Sequence, residues 1–274
     1  MAAPQPLLIT NRIQPQAIGD AIAAMPAAWA LAKAGIIGSI HLTCKSVVGL
    51  FDLGIPQFYQ EPGMPRPGLL LETQATVSHG IGGWSLPALY GKRAGVDEAA
   101  LGWPPCTMSW PPEAEPAHII LSPFSYSDRG TDTKRWAWRH WVELAALASA
   151  SGLQVHLLAG SAEEVAAMPL QLATAIQAVQ VARPLNSVAA RMLAAKAVVT
   201  VDNGMGWLAQ AISAPHVQIL SSNMPTTFSW DHGPRAINVS NCQTASASEV
   251  WRAVETAWGL RTLQTPSSIQ KEPA

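Results

Sequence analysis

A strand-to-helix turn near residue 200 constrains the fold of this chain more than any other segment. Residues 197–201 form the apolar, β-type run Ala-Val-Val-Thr-Val, the polar glycine-containing turn 202–206 follows, and an alanine-rich helical pattern extends to Ile212. A helix N-terminus carries unpaired N–H groups and the positive end of the helix dipole, and glycine lets an anion approach the backbone. The segment therefore predicts an α/β unit with a candidate phosphate site, although the strand-to-helix turns of α/β proteins without such a site share this pattern.

The first half of the chain alternates β-type and helical patterns. A strand over 7–10, a helix over 20–34 and a strand over 39–43 form the βαβ pattern of a parallel sheet covered by helices. Residues 102–116 contain five prolines, which exclude both a helix and a central strand. We therefore predict a linker there and a short first domain over residues 1–112.

The alternation restarts after the linker and predicts a second domain over residues 113–260. Its predicted strands cover 118–122, 154–158, 179–182, 197–201 and 216–220, and its predicted helices cover 138–149, 162–167, 186–195 and 247–258. The predicted fold is α/β, with two Rossmann-like, doubly wound domains that face a cleft and bind ligands outside the carboxyl ends of their strands. Residues 261–274 are polar and are predicted to form a disordered tail.

Composition limits the ligands and the compartment. The formal net charge of −1 and the 13% of charged residues disfavour electrostatic binding of nucleic acid. Cys44, Cys106 and Cys242 show neither pairing parity nor metal-ligand spacing, as expected of thiols in a reducing compartment. The N-terminus lacks a signal-peptide pattern, and the apolar stretch 21–32 is shorter than the about 20 residues of a bilayer span. We expect a cytoplasmic protein with a small ligand.

Three short motifs follow one another along the chain. They are Gly19-Asp20 with Pro26 six positions on, Lys134 with Trp136 before a helix, and the turn Asp202-Asn203-Gly204 before a C-terminal helix. In order and approximate spacing they resemble the bacterial glycosyltransferase family 9, the heptosyltransferase-like enzymes, across most of residues 7–260. The resemblance implies a GT-B fold and an inverting glycosyltransferase of lipopolysaccharide or glycan biosynthesis. Such an enzyme would move a heptose-like sugar from a nucleotide-diphosphate donor to a hydroxyl of a glycan, lipid-linked or protein acceptor.

The resemblance assigns catalytic roles to two side chains. Asp20 would be the general base that removes the acceptor hydroxyl proton, which a carboxylate facing a cleft can do; an aspartate at a helix start is also a good N-cap. Lys134 would bind the donor diphosphate and offset the charge on the leaving group, with a solvated surface lysine as the alternative.

The resemblance also places a set of residues around the donor. These are Ser122, Ser125, Gly160, Glu163, Asp202, Asn203, Gly204, Met205 and Gly206. Backbone N–H groups from Asn203 to Gly206 would hold the phosphates, and Ser122 and Ser125 would add hydroxyls or serve as turn residues. The Asp202 side chain would contact the donor sugar or hydrogen-bond the turn.

The nucleoside is expected beside Gly160, with Glu163 as acceptor for a ribose hydroxyl. A glutamate favoured by the helix dipole is the alternative for Glu163. Two departures from the family pattern stand near the phosphate turn: Asn203 replaces the usual threonine, and Trp207 replaces a histidine. They put the usual donor preference in doubt.

The expected mechanism is metal-independent and uses no cofactor besides the nucleotide-sugar co-substrate. Metal-dependent transferases of another fold hold Mn or Mg with an Asp-x-Asp motif, which this sequence lacks. Two alternatives remain: a degenerate, non-catalytic nucleotide-sugar-binding module and, with less support, a nucleotide-sugar epimerase. The expected partners are a nucleotide-sugar donor and its acceptor, without nucleic acid. Any contact with the inner membrane would be peripheral, and a second subunit is a way to complete the acceptor surface.

Overall fold

The computed structural model of the protein describes most of the chain. The described residues are 3–11, 17–61, 64, 68–73, 86–107, 117–125, 134–221, 236–239 and 241–263. They form two parallel β-sheets with helices packed on them, which confirms the predicted α/β class with two Rossmann-like domains.

The first sheet has four parallel strands in the order β3-β2-β1-β4. Its strands are β1 (Gln5–Thr10), β2 (Ile37–Leu42), β3 (Gln57–Tyr59) and β4 (Leu69–Glu72), and its helices are α1 (Ile18–Ala23), α2 (Met25–Lys33) and α3 (Leu86–Arg93). One long helix was expected over 20–34, but the helix is interrupted at Ala24. Pro26 stands in the first turn of α2, where a missing N–H costs no hydrogen bond.

The second sheet has six parallel strands in the order β10-β9-β8-β5-β6-β7. Its strands are β5 (His118–Ser122), β6 (Gln154–Ala159), β7 (Ala178–Val181), β8 (Ala197–Val201), β9 (His216–Ile219) and β10 (Ala236–Val239). Its helices are α4 (Trp138–Ala150), α5 (Ala162–Ala166), α6 (Leu170–Ala175), α7 (Leu185–Ala194), α8 (Gly204–Ala211) and α9 (Ala247–Leu263). The central strands β5 and β8 are buried along their whole length, which explains their nearly continuous apolar sequences.

The order of strands creates a topological switch point in each sheet. In the second sheet, β5 lies between β6 and β8, and the chain leaves β5 and β8 toward opposite sides. In the first sheet, β1 lies between β2 and β4 in the same way. A crevice opens outside the carboxyl ends of the strands at such a point, and open α/β sheets bind ligands there. We therefore expect the ligand site among the residues that follow β1, β4, β5 and β8.

The two domains are packed against each other through α1 and α8. A Cβ built on Gly19 would lie 3.3 Å from the Gly204 Cα and 3.0 Å from Trp207 Cδ1, so the two helix backbones approach closely. One hydrophobic core cluster accordingly runs from the first sheet across α1 and α2 into α7 and α8. Trp207, which stands where the resembled family usually has a histidine, is buried in this contact.

Several elements were not predicted from the sequence. They are β3, β4, β10, α3 and α6, all of eight residues or fewer. The domain boundary after residue 112 lies outside the described residues and stays a prediction. Helix α9 extends to Leu263, so the first three residues of the predicted tail are helical, and 264–274 lie outside the described part. No helix within the described ranges is long and apolar enough to cross a membrane.

Candidate active site

Asp20 is held by two neutral hydrogen-bond donors. It is the third residue of α1, whose N-cap is Ala17, so the alternative role of Asp20 as the N-cap is wrong. Asn11, directly after β1, donates from Nδ2 to Asp20 Oδ2 at 2.7 Å. The Tyr90 hydroxyl, from α3, lies 3.1 Å from Asp20 Oδ1. Both carboxylate oxygens are thereby oriented at the switch point of the first sheet.

The surroundings of Asp20 raise the pKa of its carboxyl group. Burial is the largest cause and disfavours the charged form. The hydrogen bonds from Asn11 and Tyr90 and the charge of Lys134 lower the pKa, while the charge of Asp202 raises it, and burial outweighs the lowering effects. A carboxylate with a raised pKa is a stronger proton acceptor than a solvated one, as a general base requires.

Lys134 forms an ion pair inside the second domain. Its Nζ lies 2.8 Å from Asp202 Oδ2, and the side chains of Lys134 and Asp202 are 23% and 4% exposed. The same Nζ lies 3.5 Å from the Asp202 carbonyl oxygen, which also accepts from Ser125 Oγ at 3.3 Å. The alternative of a solvated surface lysine is therefore wrong. The Lys134 ammonium stands at the carboxyl end of β8, within electrostatic range of Asp20.

Asn203 connects the end of β5 to the start of α8. Its Oδ1 accepts the N–H groups of Met205 and Gly206 at 3.0 and 3.1 Å, as an N-cap does. Its Nδ2 donates to the carbonyl oxygens of Ser122 and Phe124 at 3.2 and 2.8 Å, and lies 3.1 Å from Ser122 Oγ. A threonine has no amide to make these last bonds. Asn203 therefore makes contacts with the end of β5 that the threonine usual in the resembled family could not make.

The cap affects the predicted phosphate turn. Two of the N–H groups expected to hold phosphate, those of Met205 and Gly206, donate to Asn203 in this structure. A donor phosphate would compete with the Asn203 side chain for them. The Gly204 backbone packs on α1, since a Cβ there would lie 3.1 Å from the Gly19 nitrogen. The structure brings the turn to the switch point between β5 and β8, and its contact with phosphate stays a prediction.

The segment after β6 is held by two side-chain hydrogen bonds. Ser161 is the N-cap of α5 and accepts the Glu164 N–H at 3.3 Å, while Glu164 Oε2 accepts the N–H of Gly160, the residue before the N-cap, at 2.7 Å. Glu163 is exposed in the first turn, and a hydrogen bond with Ser161 lowers the pKa of its carboxyl group. The first-turn position fits the dipole alternative, and the ribose contact of Glu163 stays a prediction.

Three residues of the site were not found by sequence reasoning. Asn11 and Tyr90 contact Asp20, and the Thr73 carbonyl oxygen lies 2.9 Å from the Tyr90 hydroxyl as a second possible acceptor for its hydrogen. Asn11 directly follows β1, and Thr73 directly follows β4. Their position at the carboxyl end of a strand is the sequence feature that could have indicated them. Tyr90 stands 70 residues from Asp20, and no local pattern connects the two.

Comparisons with known proteins agree with this architecture. Escherichia coli ADP-heptose lipopolysaccharide heptosyltransferase II superposes with a TM-score of 0.68 at 15% identity, covering 94% of this chain and 99% of that one. A glycosyltransferase of family 9 from Veillonella parvula gives a TM-score of 0.72 at 12% identity, with 94% and 98% coverage. TibC, an iron-containing dodecameric heptosyltransferase from enterotoxigenic Escherichia coli, solved with ADP-D-β-D-heptose, gives 0.73 at 14% identity, with 96% and 78% coverage.

These neighbours define the class of the molecule: it has the GT-B fold of the heptosyltransferases. A sequence profile, "Glycosyltransferase family 9 (heptosyltransferase)", matches residues 114–256, which is more than half of the chain. The protein belongs to glycosyltransferase family 9. Comparison with curated protein sequences gives no significant match.

Proposed function

We propose that the protein is an inverting glycosyltransferase that moves a heptose-like sugar from a nucleotide-diphosphate donor to a hydroxyl of a glycan, lipid-linked or protein acceptor. One observation carries the proposal: a buried carboxylate, Asp20, and an ammonium, Lys134, stand at the carboxyl edges of two facing sheets, close enough for their charges to interact. The ADP-D-β-D-heptose bound by the structural neighbour TibC supports a sugar nucleotide of that chemistry as donor. We also expect self-association, as in that dodecameric neighbour.

The proposed reaction divides the work between the two domains. Asp20 removes the proton of the acceptor hydroxyl while its oxygen attacks the anomeric carbon of the donor sugar. The bond from that carbon to the diphosphate oxygen breaks, and the nucleoside diphosphate leaves with the electron pair. Lys134 and the N-terminal end of α8 stabilise the negative charge that develops on it. In-line attack inverts the anomeric configuration.

Lys134 is already paired with Asp202, and this pair defines how a donor can bind. The carboxylate of Asp202 is nearly buried and balances a single positive charge. A diphosphate brings further negative charge to the same ammonium, so the lysine is shared between Asp202 and the donor. A ligand that cannot compete with the Asp202 carboxylate for the Lys134 ammonium would therefore bind weakly.

The test is acceptor-dependent sugar transfer. ADP-, GDP- and UDP-sugars are incubated with the protein, and nucleotide release is measured with and without glycan acceptors for the wild type and Asp20→Asn. We expect release to depend on the acceptor, and turnover of the variant to fall roughly 10²- to 10⁴-fold. An asparagine still accepts from Asn11, and the Tyr90 oxygen can accept from its amide. Donor affinity and melting temperature therefore stay near those of the wild type.

Other outcomes identify the alternatives. Donor binding without release or transfer, in wild type and variant alike, indicates the non-catalytic binding module. Conversion of the donor sugar without an acceptor indicates the epimerase. A stable Asp20→Asn protein with near-normal turnover contradicts the assignment of Asp20 as base.

A further inference from the structure

The hydroxyl of Tyr90 lies between two hydrogen-bond acceptors. Asp20 Oδ1 is 3.1 Å away and the Thr73 carbonyl oxygen is 2.9 Å away. The Tyr90 side chain is fully buried in the first domain, so its ring is held by packing rather than by solvent. A phenolic hydroxyl has a single hydrogen, which can point to one of these acceptors at a time.

The two arrangements of that hydrogen suit the two protonation states of Asp20. While Asp20 is ionised, a bond from the hydroxyl to the carboxylate is charge-assisted and is the stronger choice. Once Asp20 carries a proton, the hydrogen of Tyr90 can turn to the Thr73 carbonyl, and the phenolic oxygen can accept from the carboxylic acid. No buried polar group then loses its partner when the proton arrives.

Asn11 contrasts with Tyr90 in this respect. Its Nδ2 faces Asp20 Oδ2 at 2.7 Å and can only donate. Oδ2 is therefore held as an acceptor in both states, and Oδ1 is the oxygen that can carry the proton without losing its neighbour. The asymmetry of the two partners defines which carboxylate oxygen receives the proton.

We propose that Tyr90 is a positioning residue for Asp20, whose hydroxyl donates to Oδ1 before sugar transfer and accepts from the protonated Oδ1 after it. The inference rests on the proposed function, in which Asp20 takes the acceptor proton. The proton moves from the acceptor hydroxyl to Oδ1, Tyr90 keeps its own hydrogen, and nothing is oxidised or reduced. Tyr90 itself contacts the base and not the substrate.

The pH dependence follows from the groups around Asp20. Burial raises the pKa of Asp20 above 3.8, Lys134 lowers it, Asp202 raises it, and the hydrogen bonds of Asn11 and Tyr90 lower it. Removing the hydroxyl of Tyr90 takes away a lowering effect, so the pKa of Asp20 rises further. The ionised base is lost as the pH falls through that pKa. The acid limb of activity must therefore move to higher pH in the variant.

The experiment compares Tyr90→Phe with the wild type. The matched control is Tyr59→Phe, an exposed tyrosine on β3 whose ring faces Lys45. The values of kcat and KM are measured across the acid limb, and the Asp20 carboxyl is titrated directly by carboxyl infrared difference spectra against Asp20→Asn. We expect the Tyr90→Phe limb and the titration to shift upward together by about one pH unit, the size of a typical single hydrogen bond, with donor KM unchanged. Tyr59→Phe should follow the wild type.

The direct titration separates this inference from the proposed function. If the Asp20 titration of Tyr90→Phe matches the wild type, or shifts without the kcat limb, the positioning role is overturned. If Asp20→Asn retains turnover, the base assignment fails, whatever Tyr90→Phe shows. If Tyr90→Phe folds poorly, the tyrosines are replaced by 3-fluorotyrosine, which lowers the phenol pKa and keeps the side-chain volume nearly unchanged. A more acidic hydroxyl is a better donor to the carboxylate, so the Asp20 titration must move to lower pH. An unchanged titration overturns the inference.

Discussion

At the scale of single residues, the effect of replacing Lys134 depends on its ion pair with Asp202. Its ammonium lies 2.8 Å from a carboxylate that is only 4% exposed, so the lysine neutralises Asp202 before any donor binds. A buried carboxylate without its partner is strongly unfavourable. A substitution of Lys134 therefore has two consequences, one for the ligand and one for the folded protein.

Replacing Lys134 with alanine should weaken nucleoside-diphosphate binding by about 1.5 to 3 kcal/mol, the range for hydrogen bonds to charged groups. Isothermal calorimetry with ADP, GDP and UDP measures it. Lys196→Ala is the matched control, because Lys196 stands before β8 at the opposite edge of the same sheet, with its Nζ 5.3 Å from the Trp258 ring centroid. Unchanged affinity in Lys134→Ala would contradict a role in phosphate binding.

The double variant Lys134→Ala, Asp202→Asn separates the two consequences. It removes the ammonium and also the carboxylate that would be left unpaired. Stability should return toward that of the wild type, while affinity should remain low. Full recovery of affinity would mean that the repulsion of Asp202, and not the loss of Lys134, had weakened binding.

At the scale of elements, the crossing of α1 and α8 holds the site together. Two glycines meet there: Asp20 follows Gly19, and the predicted phosphate turn contains Gly204. The crossing brings the switch points of both sheets to one place. A side chain added at the crossing would press against the backbone of the other helix. A backbone cannot move aside as a flexible side chain can.

Gly204→Ala should therefore destabilise the protein by about 1 to 3 kcal/mol, the usual cost of overpacking. Its Cβ would lie 3.1 Å from the Gly19 nitrogen and 3.2 Å from the Ile18 Cβ. The control is Gly259→Ala on α9, where a Cβ meets no atom within 4 Å and helix propensity predicts a gain of about 0.5 to 1 kcal/mol. Denaturant unfolding measures both. Equal stability of the two variants would show that the helices separate without cost.

At the scale of the whole molecule, we expect the positive charges that face the donor to come from the protein. The sequence has no Asp-x-Asp motif. Lys134 contributes a full positive charge, and the N-terminus of α8 contributes about half a unit. These two sources are expected to replace a divalent cation at the diphosphate.

Transfer activity should consequently survive excess EDTA. Rates are measured with the preferred donor in EDTA and again after addition of Mg, Mn or Fe(II), the last because the structural neighbour TibC contains iron. The protein should show the same rate in each. A loss in EDTA that one of these metals restores would contradict the metal-independent mechanism, and the metal that restores activity would identify the ion.

The sequence by itself determined the class of fold and the position of the motifs. Buried parallel strands are nearly continuous apolar runs, so the limits of β5 and β8 follow from local composition alone. The order of strands and helices then predicts doubly wound domains, and that topology predicts where ligands bind. Asp20, Lys134 and the turn after β8 were singled out because each lies in a short local motif that resembles those of glycosyltransferase family 9, and the roles that the resemblance implies stay predictions.

The tertiary structure decided what surrounds those residues. The Tyr90–Asp20 bond joins positions 70 apart, and the Asn203 bonds to the end of β5 join positions about 80 apart. From the sequence, Asp20 could be a helix N-cap or a general base. Lys134 could likewise be a solvated surface residue or part of the donor site. Hydrogen bonds and ion pairs form within about 3 Å, and only the packing of the two sheets through α1 and α8 determines which distant side chains come that close.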